Sequence, residues 1–190
     1  GAFYNFQKLE EVVLPEGLKT IKDSAFWDCY RLKNINVPTS LRTIGASAFM
    51  GTEIDSFSLK QVKKIGNMCF SGSKIKEVYF SKNCRTSSLV FWGSDNLKKA
   101  TIEKGVKKIS YGMFCDTALK TIDIPGSVFQ IGEDAFADCK KLQKVTLHEG
   151  IKKVGKNAFY NTSLKEITIP STVTQLGKNA FRWESTEKSS

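Results

Sequence analysis

Residues 119–139 read LKTIDIPGSVFQIGEDAFADC, and variants of this stretch recur along the chain with a period of roughly 21–23 residues. A second clear copy starts at Leu32 and reaches Ala48 and Phe49 with the same spacing. Self-similarity at such a period is typical of solenoids, in which each coil buries its apolar edge against its neighbours. The chain is therefore predicted to wind as a stack of coils.

The repeat can be followed through the whole chain. Eight coils begin with an aliphatic residue, at Leu9, Leu32, Ile54, Ile75, Leu97, Leu119, Leu142 and Leu164. A column of phenylalanines runs in step with them, at Phe26, Phe49, Phe70, Phe91, Phe114, Phe136, Phe159 and Phe181. Phe3 stands one repeat before Phe26 and extends the column into an incomplete coil. We expect one repeat domain over residues 1–184, beginning mid-repeat as a piece of a longer protein, and a polar tail over 185–190.

In the first half of each coil, apolar and polar residues alternate, as in Lys-Thr-Ile-Asp-Ile over 120–124. A period of two predicts a strand with one buried face. Proline follows at Pro15, Pro38, Pro125 and Pro170, and it ends the strand because it has no N–H to donate. The stacked strands should form a parallel sheet along one face of the solenoid.

In the second half, apolar residues recur with the spacing i, i+4, i+5 and i+8, which predicts a short helix or 3₁₀ segment. The residue before each Ala-Phe pair is a good N-cap, at Ser24, Ser47, Asp134, Asn157 and Asn179. A glycine is expected to turn a tight corner with positive φ, at Gly45, Gly66, Gly132, Gly155 and Gly177. The predicted fold class is an α/β solenoid. It is a right-handed, leucine-rich-repeat-like coil of about eight repeats, with a parallel sheet on one face and short helical or 3₁₀ segments on the other.

The motif Ile-Pro-x-x-Val-x-x-Ile-Gly-x-x-Ala-Phe-x-x-Cys, with its variants over residues 2–184, resembles the leucine-rich repeat of bacterial surface antigens, the BspA-like family. It differs from ordinary leucine-rich repeats, which carry an asparagine where this chain turns at Ile-Pro. The resemblance implies a protein that is displayed on a bacterial cell surface or secreted, in a family found also in some parasitic protists. It further implies adhesion to host or neighbouring cells and to extracellular matrix proteins.

One central coil departs from the pattern, because Cys84-Arg85-Thr86-Ser87-Ser88 replaces the usual turn and apolar segment. Two interpretations remain. The first is drift in a coil that tolerates it, and the second is a local insertion or groove beside Tyr79 and Trp92.

The composition is that of a folded protein. With 190 residues, of which 41% are hydrophobic, the chain can bury a core without disulfides, and no apolar run predicts direct membrane insertion. Cys29 and Cys139 occupy the last apolar position of the repeat, where threonine stands in three other coils. Buried structural thiols are therefore expected, although an oxidising exterior would permit a disulfide. Cys84 is the cysteine expected to be exposed.

The chain carries 29 lysines and arginines against 19 acids, a net charge of +10. Lysine enters the predicted strand in five coils, at Lys33, Lys76, Lys98, Lys120 and Lys165. Further basic residues accompany the second apolar segment, at Lys19, Arg42, Lys63, Lys64, Lys107, Lys108, Lys152 and Lys153. Stacking turns both sets into rows that could attract sulfated glycans, acidic proteins or anionic lipid. The alternative is that they keep the solenoid soluble and protect its strand edges.

No catalytic, metal or cofactor chemistry is predicted. His148 is the only histidine, and no paired carboxylates, phosphate-binding glycine loop or His/Cys cluster is recognisable. Nucleic acid binding is not expected either. The outward strand positions mix both charges, and only Tyr79 among them could stack on a base.

Two functions remain from different classes. The first is a non-catalytic recognition module, at the cell surface or secreted, that binds a protein or glycan of a cell surface or extracellular matrix across the strand face. The second is a structural spacer or display stalk without its own ligand. For the first, the candidate ligand face comprises Tyr79, Lys98, Lys99, Thr101, Lys120, Thr121, Asp123, Lys144 and Thr146.

Overall fold

The structure is a computed structural model that describes residues 1–183, so the predicted tail over 185–190 lies outside the described residues. The described chain winds through stacked coils, most of which contribute short strands to two separate sheets. In chain order the strands are β1 (Glu11–Val12), β2 (Thr20–Ile21), β3 (Asn34–Ile35), β4 (Thr43–Ile44), β5 (Lys64–Ile65), β6 (Glu77–Phe80), β7 (Arg85–Thr86), β8 (Lys99–Ile102), β9 (Lys108–Ile109), β10 (Thr121–Ile124), β11 (Gln130–Ile131), β12 (Lys144–Leu147), β13 (Lys153–Val154) and β14 (Gln175–Leu176).

The two sheets occupy different sides of the coil. What we call the first sheet consists of three parallel pairs, β1–β3, β6–β8 and β10–β12, which are not bonded to one another in the described chain. Parallel strands along this face are therefore confirmed, but the sheet is not continuous. The second sheet contains two parallel four-stranded groups, β2-β4-β5-β7 and β9-β11-β13-β14. The sequence prediction lacks this second sheet, because it assigns residues such as Ile131 to the start of a helix.

The side of each coil that carries the phenylalanine column is not helical, and the predicted helical or 3₁₀ face is wrong for residues 1–183. Alternate N–H groups bond to the next coil: Asp134 N to Lys156 O at 3.0 Å, Phe136 N to Ala158 O at 2.8 Å and Asp138 N to Tyr160 O at 2.8 Å. The N–H groups between them bond three residues back, as Ala137 N does to Asp134 O at 3.1 Å. An α-helix needs its N–H groups for carbonyls four residues back. Bonding between coils therefore takes the place of the helix.

The predicted N-caps are left-handed backbone positions instead. Ser24, Ser47, Asp134, Asn157 and Asn179 all have φ between 54° and 59°. Asn and Asp adopt this conformation more readily than other residues with a Cβ, which explains why they recur there. Met68 and Leu89 hold the same conformation with larger side chains, at φ 55° and 59°.

The recurring corner glycine is required by close packing of the coils and not by positive φ. A Cβ on Gly155 would lie 2.5 Å from the backbone nitrogen of Glu133 and 2.6 Å from the carbonyl carbon of Gly132, both in the preceding coil. No side chain fits at that distance without moving one backbone. Four other glycines have the same close approach to backbone and no positive φ: Gly45, Gly66, Gly132 and Gly177. The predicted positive φ is therefore wrong at all five.

A spine of nine stacked phenylalanine rings, from Phe3 to Phe181, runs through the described coils. Neighbouring ring centroids are 5.1 to 5.8 Å apart, and neighbouring planes are within 15° of parallel. The rings from Phe49 to Phe159 are almost fully buried. The predicted aromatic column is confirmed, and it forms the centre of the core together with the leading aliphatic residues.

The last position of the repeat supplies hydrogen-bond donors to the backbone of the spine. Thr52 Oγ1 donates to Phe49 O at 2.9 Å, and Cys139 Sγ donates to Phe114 O in the preceding coil at 3.0 Å. Other donors of the same kind are Thr117, Thr162, Ser94 and Cys29. Threonine, serine and cysteine interchange here because each is small and carries a donor. The position is therefore defined by its donor and is not simply apolar.

The predicted irregular coil retains its strands β6 and β7, but the second sheet is interrupted after it, because β7 does not pair with β9. Side chains bridge the interruption: Ser110 Oγ lies 2.9 Å from Thr86 Oγ1 and donates to Thr86 O at 3.1 Å. All five cysteines are free thiols. Cys84, predicted to be exposed, is buried, whereas Cys115 is half-buried. The prediction for Cys84 is wrong because its side chain points into the core at a position where four other coils expose lysine.

Candidate ligand-binding face

The outward positions of the first sheet align in columns, as the repeat predicts. Glu77 lies opposite Lys99 and Tyr79 opposite Thr101. Farther along, Thr121 lies opposite Lys144 and Asp123 opposite Thr146. All nine residues of the candidate ligand face are exposed except Thr146, which is half-buried. Lys98 and Lys120 immediately precede β8 and β10, so the nine residues share one side of the solenoid.

This sheet is interrupted in the coil that starts at Ile54, where residues 54–59 form no strand. Phe57 stands in the column that holds Ile35, Val78 and Ile122 in other coils, and its ring packs 5.1 Å from Phe49. A second contact of 5.2 Å joins it to Phe70. We attribute the interruption to the ring of Phe57, which is larger than the aliphatic side chains at this position. Because it packs against the spine, the backbone of this coil does not follow the path of a strand. Within the described chain, the backbone of residues 56–58 makes no hydrogen bond to either neighbouring coil.

The interruption leaves a concavity of about 330 Å³ beside Tyr79. Tyr79 is 40% exposed, and the concavity is also lined by Lys99 and Thr101 from the candidate face. One of the two interpretations of the irregular coil is a groove beside Tyr79 and Trp92, and the other is drift in a coil that tolerates it. The structure has a groove beside Tyr79, but the preceding coil forms it, and Trp92 is not in its lining. Seven lining residues are missed by the prediction: Ser56, Phe57, Ser58, Leu59, Lys60, Glu77 and Val78.

A second concavity of about 670 Å³ adjoins the first and shares Ser56, Glu77 and Lys99 with it. Lys98 lines it, and so does an ion pair in which Lys76 Nζ lies 2.9 Å from Asp55 Oδ2. The hydrogen bond from Lys76 holds the pKa of Asp55 below its ordinary value. Asp55 is therefore ionised at neutral pH, and side chains of both charge signs line the two concavities.

The remaining candidate residues lie farther along the sheet. Lys144 and Thr146 line a third concavity, of about 710 Å³, where the last described coil forms no first-sheet strand over 164–169. Lys120, Thr121 and Asp123 lie on the strand surface between the concavities. The structure thus brings Tyr79, Lys98, Lys99 and Thr101 together and leaves the other five as an extension of the same face.

His148 is exposed and directly follows β12, and its Nε2 lies 2.7 Å from Asp123 Oδ1. The side chains are 50% and 73% exposed, so solvent screens the pair. Among residues 1–183, no three His, Cys, Asp or Glu side chains are grouped so that they could hold a metal ion. The same part of the chain contains no helix of the length and apolarity needed to cross a bilayer.

Three solved structures with the same fold allow comparison. A leucine-rich repeat protein from Bacteroides ovatus is 24% identical with a TM-score of 0.68, and the match covers 95% of this chain and 60% of that one. A leucine rich cell surface protein from Faecalibacterium prausnitzii is 20% identical with a TM-score of 0.56, covering 90% of this chain and 66% of that one. The pneumococcal vaccine antigen PcpA is 17% identical with a TM-score of 0.57, covering 91% and 69%. This chain therefore spans about 60% of the length of the Bacteroides protein.

No curated protein sequence matches the chain. The family model described as BspA type leucine rich repeat region (6 copies) matches residues 1–116 and 86–188, which together span nearly the whole sequence. The motif that carries the match is the one whose phenylalanines form the spine and whose alternating residues form the first sheet. The chain belongs to the BspA type leucine-rich repeat family.

Proposed function

We propose that this chain is a non-catalytic recognition module, at a bacterial cell surface or secreted, that binds a protein ligand across the first sheet. Family membership supports a repeat module of this kind, and one structural neighbour is described as a cell surface protein and another as a vaccine antigen. The contact is centred on Tyr79 and extends along the candidate ligand face toward Thr146.

The observation that carries the proposal is the pair of joined concavities around Tyr79. A half-exposed tyrosine offers a rigid apolar ring and a polar hydroxyl, and such residues are enriched among the few that dominate protein interfaces. The unpaired backbone of residues 56–58 and the side chains of Glu77 and Lys99 surround it with donors and acceptors. This combination of one aromatic with polar groups of both charges suits a mixed, polar protein surface.

Binding of the chain to immobilised fibronectin and fibrinogen, measured by surface plasmon resonance, tests the proposal. Tyr79→Ala should weaken binding about thirtyfold, the effect expected of a residue worth about 2 kcal/mol at an interface. Tyr30→Ala is the matched control, because Tyr30 is similarly exposed at 47% and lies outside the candidate ligand face. Reversing charge at Lys98 and Lys120 should weaken an acidic partner and strengthen a basic one.

A spacer without its own ligand makes the opposite prediction. In that case neither matrix protein binds to the isolated chain, or binding is equally unaffected by Tyr79→Ala and Tyr30→Ala. Either result would contradict the proposed contact.

A further inference from the structure

The second sheet presents a surface of different character from the first. Its two outward columns are the residue before each short strand and the first residue of that strand, and we call them together the basic face. Nine of the sixteen positions are basic and none is acidic: Lys19, Arg42, Lys63, Lys64, Arg85, Lys107, Lys108, Lys152 and Lys153. Six others hold Thr20, Thr43, Phe129, Gln130, Thr174 and Gln175, and at the remaining one the side chain of Cys84 points into the core. On the first sheet, by contrast, the outward columns mix acids with bases.

The cations of the basic face have no acidic partners in the described chain. The ion pairs of Lys74, Lys76, Lys82 and Lys156 all lie outside it. Of the nine cations only Arg42 makes a side-chain hydrogen bond, and it donates to backbone carbonyls. The charge of these nine residues is therefore available to a ligand.

Like charges also lie directly opposite one another. Lys64 pairs in register with Arg85, and both side chains are exposed. Like charges at opposed positions of a sheet are destabilising. Lysines that protect a sheet from aggregation belong at its edge strands, but β5 is an interior strand, bonded to β4 and β7. Neither solubility nor edge protection requires this opposed pair.

Two shallow concavities on this side of the solenoid are lined by several of the cations. One, of about 530 Å³, is lined by Arg42, Lys60 and Lys63 with Gln61 and Asn83. Another, of about 360 Å³, lies at the interruption between β7 and β9, and Arg85, Lys107 and Lys108 line it. Neither lining contains an acidic residue. Each concavity thus offers several cations converging on one space, together with amide or hydroxyl groups.

We propose that the basic face binds a linear sulfated polysaccharide lying along the solenoid axis. The cations lie in six of the eight coils, and neighbouring coils are about 4.8 Å apart, which suits a polymer that carries anionic groups at short intervals. Thr43, Gln61 and Gln130 lie between the cations and can bond to sugar hydroxyls. Single-stranded nucleic acid would require a row of aromatic platforms, and Phe129 is the one aromatic in the two columns. Binding to a membrane surface is strengthened by apolar side chains that insert beside the cations, and Phe129 is the one large apolar side chain exposed in the two columns.

The test uses the whole chain and a short heparin oligosaccharide, with binding measured by isothermal titration calorimetry or fluorescence anisotropy. Replacing Lys64, Arg85 and Lys108 by Gln removes three charges from the basic face. Affinity should fall about a hundredfold, at roughly fivefold per cation. The matched control replaces Lys8, Lys140 and Lys141 by Gln, which removes the same net charge from exposed positions outside both sheets and should leave affinity within about twofold. Wild-type affinity should also fall steeply between about 50 and 200 mM salt.

Folding of the triple variant is not in question on physical grounds, since it removes like-charge repulsion from exposed positions. Its melting temperature should be unchanged or higher, and this readout separates loss of binding from loss of structure. Equal loss of affinity in the two triple variants would overturn the proposal, because net charge alone would then explain binding. It would also be overturned if desulfated heparin, single-stranded DNA of equal charge or phosphatidylserine vesicles bound as tightly as heparin.

Discussion

Phe136→Ala removes one ring from the middle of the spine. Phe136 is 0% exposed, and its ring stacks on Phe114 at 5.3 Å and on Phe159 at 5.1 Å. Truncation of a buried phenylalanine costs about 3–5 kcal/mol in free energy of unfolding. Because two stacked contacts worth about 0.5–1.5 kcal/mol each are lost with it, we expect the upper half of that range.

Guanidinium denaturation followed by circular dichroism measures the loss, provided that the m-value is unchanged. Phe136→Leu keeps most of the volume but loses both stacked contacts, so it should cost about 1–3 kcal/mol, less than Phe136→Ala. Phe181→Ala provides a second comparison, because Phe181 is half-buried and stacks on one described neighbour only, Phe159. It should cost about half as much as Phe136→Ala.

Hydrogen exchange shows which coils are destabilised by Phe136→Ala. The amide of Phe136 donates to Ala158 O and that of Phe114 donates to Ala135 O, both at 2.8 Å. These amides should lose protection in Phe136→Ala while the amide of Phe49, in a distant coil, keeps it, because coils contact only their neighbours. A loss below about 1 kcal/mol, or one equal to that of Phe181→Ala, would refute the reasoning that the stacked rings carry the stability of the coils.

Four further predictions concern single positions, and denaturation midpoints test the first three. Gly155→Ala should destabilise the chain by about 1–3 kcal/mol, because the new Cβ would overlap the backbone of the preceding coil. Met68→Asn should stabilise it by up to about 1 kcal/mol, because Asn tolerates the left-handed conformation better. Thr52→Val should cost about 1 kcal/mol through loss of the hydroxyl donor to Phe49 O, and Thr52→Ser should cost less. Burial raises the pKa of Cys139 to about 11 and that of Cys115 to about 12, so both thiols should react slowly with Ellman's reagent at pH 8 in the native state. Since these folded-state pKa values are raised, the stability they contribute is fully present below the ordinary thiol pKa of about 8.5 and is lost as pH rises toward 11–12.

Each of these has a contradicting outcome. A stable Gly155→Ala would mean that the coils can separate at the corner, and a destabilised Met68→Asn would mean that packing of the Met68 side chain outweighs backbone strain. Equal midpoints for Thr52→Val and Thr52→Ser would show that the donor is dispensable. Fast modification of Cys115 without unfolding, or stability that does not fall above pH 9, would show that its surroundings do not disfavour the thiolate.

The sequence predicts the interior of this fold well because a solenoid imposes the same environment once per coil. An interior column must hold similar residues, so the positions of Phe136 and its equivalents can be read from the period alone. The period determines the backbone conformation less well than it determines which side chains are buried. Two left-handed residues four apart, such as Asp134 and Asp138, bring Ala135, Phe136 and Cys139 to the same buried side that a helix would. Recurrence of Asp, Asn and Gly at those two positions was the available signal against a helix.

The candidate ligand face likewise has one feature that the sequence predicts and one that it does not. Its register follows from the period, which is why Tyr79 lies opposite Thr101 as expected. The concavity depends on how one coil departs from its neighbours, through the ring of Phe57 in place of an aliphatic residue. That substitution is visible in the sequence, but its consequence for the backbone ladder depends on packing against Phe49 and Phe70.

The charge distribution shows why counting residues cannot assign a function to a face. Lys76 stands one repeat after Asp55, and its ammonium is neutralised there at 2.9 Å. Arg85 likewise stands one repeat after Lys64, and the two meet as like charges on the second sheet. The same period therefore neutralises Lys76 on the first sheet and places two cations side by side on the second. Each lysine or arginine adds the same charge to the total wherever it lies, so the net charge of +10 does not reveal this arrangement. Only the sorting of charges by sheet distinguishes a mixed surface suited to protein from a uniform one suited to a polyanion.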